Sequence, residues 1–307
     1  MKRCLLLAKR LQEEQKNLKI IFATQNLDGN INHEILQAGF SLYQLENNTT
    51  SHLNDLIKNL NIDLLIIDSY DIDYTFEEQI KLQNSSLKIL SFDDRIKQHC
   101  ADIVLNHGIQ AKKNHYKELV SSDCKLFCGS KYTLLRDEFF EKYNLKILKN
   151  SIAIILGGND VLNLSSKIAN LLLKINKDYK ITVITSSVNQ NLKALQEDKK
   201  IEVLVDIDNI AFVLASKSFV ITASGGTLFE VVSLKKKFIN LEVASNQKVV
   251  TKFLKNKGIK TTIKAEDVTK EILKNKIEYI KTNNMYKKLT LQFGKNRLVK
   301  KILKELQ

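Results

Sequence analysis

The chain has 307 residues, enough for two domains of ordinary size, and 44% of them are hydrophobic, enough to build real cores. Its net charge of +14 calls for an anionic partner, yet the excess is mostly lysine spread along the chain, with no basic block interleaved with aromatics, so nucleic acid is not the expected partner. Four cysteines fit a reducing compartment, and no apolar run is long enough to span a bilayer, so a cytoplasmic protein without a membrane partner is expected.

The opening MKRCLLLAKRLQEE reads as a helix already under way. Leu5, Leu7, Ala8 and Leu11 form an apolar stripe, and no capping residue precedes it. Lys2 and Arg3 before CLLLA imitate a secretory signal, but Lys9 and Arg10 end the apolar run and no small-residue cleavage site follows. Short β-type runs then alternate with helical ones. KIIFAT (19–24) precedes a helix near 31–38, FSLYQL (40–45) one near 51–60, and IDLLIID (62–68) one near 75–84. LKILSFD (87–93), ADIVLN (101–106) and KLFCGS (125–130) follow as strands. After the polar link NLKILKN (144–150) the pattern restarts. SIAIIL (151–156) leads to a helix at 160–175, ITVITS (181–186) to one near 189–197, and IEVLV (201–205) to one at 208–215. FVITAS (219–224) leads to a helix at 226–234, KFINLEV (237–243) to one at 246–256, and 265–307 reads as lysine-rich helices.

Strands alternating with helices imply parallel βαβ units. Two such series predict an α/β protein of two doubly wound, Rossmann-like domains facing a cleft, 1–148 and 149–307. The second series starts with a strand and the first with a helix, whereas the first strand of a doubly wound sheet is usually central. The N-terminal domain is therefore expected to lack its central strand and the loop after it.

The most informative stretch is ITASGGTLFE (221–230), a strand, a two-glycine turn and a helix. Gly225 and Gly226 let a ligand approach the backbone, and the free N–H groups at a helix start suit a diphosphate. Glu230, a turn further in, can accept hydrogen bonds from a ribose diol. The same stretch also fits a plain glycine turn capped by Ser224 or Thr227. ILGGND (155–160), with Gly157, Gly158 and Asn159, opens at the same carboxyl edge of the sheet. Neither loop matches G-x-G-x-x-G or G-x-x-x-x-G-K-[ST], which argues against a dinucleotide dehydrogenase or a P-loop NTPase. Asn246 and Gln247 sit where a strand gives way to a helix, and there Asn is commonly only an N-cap. Asp68 and Tyr70 end a strongly apolar strand, where Tyr70 either bonds a sugar or phosphate or simply packs. Asp71-Ile72-Asp73 and Asp206-Ile207-Asp208 imitate the D-x-D of metal-dependent glycosyltransferases, but acidic pairs are common in loops. Cys124 and Cys128, with His99, Cys100, His107 and His115 nearby in sequence, lack the spacing of a structural zinc site. No metal and no cofactor are expected, and no G-x-S-x-G elbow supports a serine hydrolase.

Taken together, MKRCLLLAKRL (1–11), IDLLIIDSYDID (62–73), FDDR (92–95), ADIVLN (101–106), CGSKYTLLRDEF (128–139), IILGGND (154–160), ITASGGTLFEVVSL (221–234) and NQ (246–247) resemble one family. It is the UDP-sugar hydrolases of pseudaminic acid biosynthesis, related to the SpsG-type proteins of spore-coat polysaccharide and to MurG. CGSKYTLLRDEF and A-x-G-x-T-L-x-E are its most specific marks. The resemblance implies the GT-B architecture. It also implies metal-independent hydrolysis of UDP-2,4-diacetamido-2,4,6-trideoxy-β-L-altropyranose to the free sugar and UDP, in the route to flagellin glycosylation. A monomer is expected. The resemblance implies that Ser224, Gly225, Gly226, Thr227, Gly157, Gly158, Asn159 and Gln247 line the UDP site, that Glu230 takes the ribose, and that Tyr70 and Asn246 face the sugar and the attacking water. Family members carry a G-x-G-H-x-x-R-C loop after their first strand. Arg3-Cys4 matches its end, so the general-base His is expected immediately before Met1, outside this chain. The sequence departs from the family pattern at Ser69, where His is usual, and at Lys237, where Pro is usual. Two alternatives stand beside this reading: a GT-B glycosyltransferase using a UDP-sugar donor, and a UDP-sugar-binding homologue without turnover.

Overall fold

A computed structural model describes residues 1–306. The chain divides into two compact units, Met1–Leu134 together with the segment from Gln292, and Leu135–Leu291. The sequence reading put the divide near 148 and gave the whole tail to the second domain. The tail instead returns because α11, described below, carries an apolar stripe that completes the first unit's core.

The first unit runs α1 (Lys2–Glu14), β1 (Ile21–Gln25), α2 (Asn32–Gln37), β2 (Ser41–Leu45), α3 (Thr50–Leu60), β3 (Leu64–Ile67), α4 (Tyr74–Gln83), β4 (Lys88–Phe92), β5 (Ile103–Asn106) and β6 (Lys125–Cys128). All pairings are parallel, as short strands joined by helical crossovers require. The strands form two separate sheets, β1-β2 and β3-β4-β5-β6. The break falls between β1 and β3. Helix α1 spans it. Leu5 and Ala8 pack with Phe22, Ile35 and Phe40 of the small sheet and its helix. Leu7 and Leu11 pack with Leu90, Phe92, Ile103 and Leu105 of the large one. Leu64, Leu65 and Ile66 of β3 are only half-buried despite being apolar, as befits a strand paired on one edge.

The second unit runs β7 (Ser151–Ile155), α5 (Leu164–Ile175), β8 (Lys180–Thr185), α6 (Leu192–Glu197), β9 (Ile201–Val205), α7 (Ile210–Ser216), β10 (Phe219–Ala223), α8 (Gly226–Ser233), β11 (Phe238–Glu242), α9 (Lys248–Asn256), β12 (Thr262–Lys264) and α10 (Lys270–Thr282). Its six strands form one parallel sheet in the order β12-β11-β10-β7-β8-β9. Every residue of β7 and β10 is buried, which is why these strands read as mostly apolar runs rather than alternating ones, with Ser151 and Thr222 the polar exceptions. The chain then returns to the first unit with α11 (Arg297–Glu305), whose Leu298, Val299 and Ile302 join Leu7 and Leu11.

Two differences from the sequence reading have local causes. The helix expected from 160 begins at Leu164, because Asp160 and Asn163 take positive φ angles (41° and 47°) that no helix accommodates. Strand β12 was not anticipated. Three residues carry too little alternation to be read, and the strand exists through its pairing with β11.

Candidate active site

In the second unit, β7 and β10 are neighbours in the sheet, with Thr222 beside Ile155. The chain leaves β7 toward β8 on one side and β10 toward β11 on the other, so the two glycine loops open side by side at the topological switch point. Gly157, at φ 93°, needs a residue without a Cβ. Gly158 is needed for close approach, since a Cβ there would meet Ser186 Oγ at 2.7 Å. Its carbonyl accepts from Thr185 Oγ1 at 3.0 Å and Ser186 Oγ at 2.8 Å, which ties the loop to the end of β8. Asn159 is exposed. Asp160, which the sequence reading passed over, is buried and accepts from the N–H groups of Leu164 and Ser165 at 3.1 and 2.8 Å, so it caps α5.

Across the switch point, Gly225 stands at the N-cap of α8, and the helix start carries no side-chain cap. Gly226 is exposed, and nothing lies within 4 Å of a Cβ built on it. Thr227 is half-buried in the first turn. Ser224 is buried, and its hydroxyl is committed elsewhere: it donates to the Leu241 carbonyl at 2.7 Å and accepts from Asn240 Nδ2 at 2.8 Å. It therefore fixes the end of β10 against β11 rather than offering a free hydroxyl. Gln247 Nε2 lies 3.8 Å from the Gly225 Cβ position while its Oε1 accepts from the Val243 N–H at 2.9 Å, which brings the loop after β11 beside the glycine turn. Asn246 lies exposed in the short 3-10 turn Ser245–Gln247 and does not act as an N-cap. Glu230 accepts from Arg136 Nε at 3.1 Å. Burial pushes its carboxyl up, and the Arg136 guanidinium opposes that rise.

In the first unit a polar cluster gathers at the carboxyl ends of β3, β4 and β5. Arg3 of α1 holds Asp68 in a two-pronged bond (Nε to Oδ2 at 3.0 Å, Nη2 to Oδ1 at 2.6 Å) and reaches Asp94 at 2.9 Å. His107 Nε2 stands 3.1 Å from Arg3 Nη1. Burial disfavours the charged form of Asp68, but its bonds to Arg3 win and hold its carboxyl near 2. Burial, followed by the Arg3 charge, lowers His107 to about 4, so this imidazole is neutral at neutral pH. Tyr70 is 44% exposed and donates its hydroxyl to Asp94 Oδ2 at 2.9 Å. Arg95 stacks on its ring at 3.9 Å, and Lys97 Nζ donates to its carbonyl at 3.3 Å. Sequence reasoning found Asp68 and Tyr70 but missed Arg3, Asp94 and His107 as their partners. The signal was present in the quoted MKRC and FDDR runs, but only folding joins residues 91 positions apart.

Of the acidic pairs that imitated D-x-D, Asp73 caps α4 by accepting from the Phe76 N–H at 3.0 Å, and Asp206 Oδ2 accepts from the Ser187 N–H at 3.0 Å. Among the described residues no helix is long and apolar enough to cross a membrane.

Two parallel α/β units, the second with glycine loops at its switch point, define a protein of the GT-B class. MurG of Acinetobacter baumannii matches 99% of this chain and 95% of its own at a TM-score of 0.64 and 16% identity. UDP-GlcNAc 2-epimerase from Methanocaldococcus jannaschii matches 100% and 97% at 0.60 and 13% identity. No family model matches the chain. Over 268 residues it is 35% identical to the UDP-2,4-diacetamido-2,4,6-trideoxy-beta-L-altropyranose hydrolase of Campylobacter jejuni, covering 86% of this chain and 93% of that protein, and it belongs to that hydrolase's family.

Proposed function

We propose that the protein hydrolyses a UDP-sugar, UDP-2,4-diacetamido-2,4,6-trideoxy-β-L-altropyranose, to the free sugar and UDP in the pseudaminic acid pathway. The observation that carries the nucleotide reading is the pair of glycine loops leaving β7 and β10 side by side, with Glu230 one turn inside α8. The name of the Campylobacter relative supports the reaction and the sugar.

In this reading the N–H groups at Gly226 and Thr227, with the Gly157–Gly158 loop, take the diphosphate, and Glu230 takes the ribose. Asn159 and Gln247 border the same nucleotide site, and Ser224 acts by holding the glycine turn in place. Cleavage at the anomeric carbon leaves negative charge on the diphosphate, and amides fixed before the reaction stabilise it without reorganising. A divalent cation is then not needed. Tyr70 and Asn246 act on the sugar and the water.

The experiment is to incubate a form that carries the family's G-x-G-H loop with the UDP-sugar in excess EDTA and follow UDP and free sugar. Release of both, with no need for added cation, is expected. Turnover only after Mg²⁺ or Mn²⁺ is restored would overturn the metal-free reading. Transfer to an added acceptor without free sugar would make the protein a glycosyltransferase, and tight binding without turnover would leave it a binding protein.

A further inference from the structure

The run CGSKYTLLRDEF, among the most specific stretches of the sequence, ends in the charged residues Arg136, Asp137 and Glu138. That end lies in the second unit. Arg136 Nε donates to Glu230 Oε1 at 3.1 Å, and its Nη1 stands 3.4 Å from Glu138 Oε1. Its guanidinium also lies 5.2 Å over the Phe139 ring. Glu138 Oε1 in turn accepts from the N–H groups of Ile210 and Ala211 at 3.0 and 3.3 Å, at the start of α7. Arg136 is thus held between two carboxylates, one anchored to the backbone of α7 and the other carried by α8. Glu230 is 16% exposed at its side chain. Its Oε1 is committed to Arg136, while its Oε2 makes no hydrogen bond among the described residues.

We propose that Arg136 is a positioning residue for nucleoside recognition, fixing Glu230 so that Oε2 is presented to the hydroxyls of a ribose. This rests on the reading that the second unit binds UDP. The two-point hold on Arg136 sets the plane of the carboxylate, because a guanidinium donates along fixed directions. It also keeps the acceptor charged. The charged groups bearing on Glu230 are Arg136 and Glu138; burial and Glu138 favour the protonated form, and Arg136 alone opposes them. The strand packed against α8, β10, consists of Phe219, Val220, Ile221, Thr222 and Ala223 and adds no charge. Without Arg136 the carboxyl gains protons and loses part of its strength as an acceptor.

Calorimetric titration of the full chain with UDP and with 2′-deoxyuridine diphosphate tests this. Both ligands carry the same base and diphosphate, so their affinity ratio isolates the ribose contact. The wild type is expected to prefer UDP by about tenfold or more, the worth of one hydrogen bond to a charged group. Arg136→Gln should weaken UDP about tenfold, leave the deoxy ligand nearly unchanged, and so collapse the ratio at pH 7. The ratio should partly reopen at higher pH as Glu230 ionises, and Arg136→Lys should keep part of it. An unchanged ratio in Arg136→Gln, or an equal loss for both ligands, overturns the positioning role. If Arg136→Gln does not fold, Arg136→Lys decides, and a ratio equal to the wild type's overturns the proposal. A wild type that binds neither ligand removes the nucleotide reading itself, and this inference with it.

Discussion

Arg3 is the residue on which the polar edge of the first unit turns. It serves Asp68 and Asp94 together from a side chain 22% exposed, with Phe92 beneath its guanidinium at 4.6 Å. Removing it leaves Asp68 and Asp94 without the guanidinium that bridges them, with the Met1 amino group, 3.6 Å from Asp68 Oδ2, as the cation remaining beside Asp68. Arg3→Ala should cost about 3 kcal/mol, at the lower end for a buried pair because water reaches the site. Arg3→Lys should recover only part of that, since an ammonium lacks the planar fork that fits two carboxylates. Thermal melts check both, and an unchanged midpoint in Arg3→Ala would show the cluster to be energetically idle. A second buried cluster lies off this edge. His99 Nδ1 stands 2.8 Å from Glu77 Oε1 and its Nε2 3.5 Å from Asp93 Oδ2, all three side chains under a tenth exposed. Burial works against the imidazolium, but the two carboxylates raise it from 6.5 to about 9. The folded state thus binds the proton more tightly than the unfolded one. The stability this contributes, on the order of 3 kcal/mol, is complete below pH 6.5 and is lost as the pH rises through 9. Urea midpoints at pH 6.5 and 9 should fall in the wild type, whereas His99→Gln should be weaker at pH 6.5 and nearly flat. A wild-type midpoint that does not fall would contradict the raised value.

At the scale of elements, the divided sheet of the first unit governs local stability. Among the described residues, strand β1 bonds only to β2, and β3 only to β4, so each has an edge without ladder partners. A two-stranded sheet is marginal on its own and depends here on Phe22, Phe40 and Ile35 packing against Leu5 and Ala8 of α1. Strand β5, by contrast, is bonded on both sides and buried at every residue. Amide hydrogen exchange should therefore be fast in Ile21–Gln25 and Ser41–Leu45 and slow in Ile103–Asn106. Equal protection in all three would mean that the small sheet opens only with the whole unit. The same physics explains why α1 is needed as a helix despite lacking an acidic first turn or a side-chain cap. Its buried stripe, rather than its ends, provides the stability.

For the whole molecule, the order of the chain makes the two units unequal. The second unit is continuous from Leu135 to Leu291 and contains its entire six-stranded sheet. Expressed alone, 135–291 should fold, and under the proposed function it should bind UDP in a calorimetric titration without hydrolysing the UDP-sugar. The first unit is completed only by α11. Removing residues from 292 onward withdraws Leu298, Val299 and Ile302 from its core. Each contributes roughly 1.5–3 kcal/mol on burial, a sum comparable with the 5–15 kcal/mol that holds a typical domain together. The shortened chain should lose the first unit to limited proteolysis while 135–291 survives as a resistant fragment. Survival of both units would show that α11 is peripheral.

What the sequence determined by itself was local and periodic. Mostly apolar runs at 151–155 and 219–223 declared buried parallel strands, and the glycines at 157, 158, 225 and 226 declared turns at the carboxyl edge of the sheet. Those features are legible because strand burial and glycine backbone freedom are properties of neighbouring residues. Partnership came from the folded arrangement. Nothing near Glu230 in sequence announces Arg136, 94 residues earlier, and nothing near Asp68 announces Arg3. Ser224 looked like a ligand group until Leu241 and Asn240 were seen to occupy its hydroxyl. Strand β12 and the return of α11 were likewise invisible, since a three-residue strand and a docking helix gain their stability from surfaces supplied by distant parts of the chain. Pairing of charges and burial of faces depend on distance in space, and chain order does not encode that distance directly.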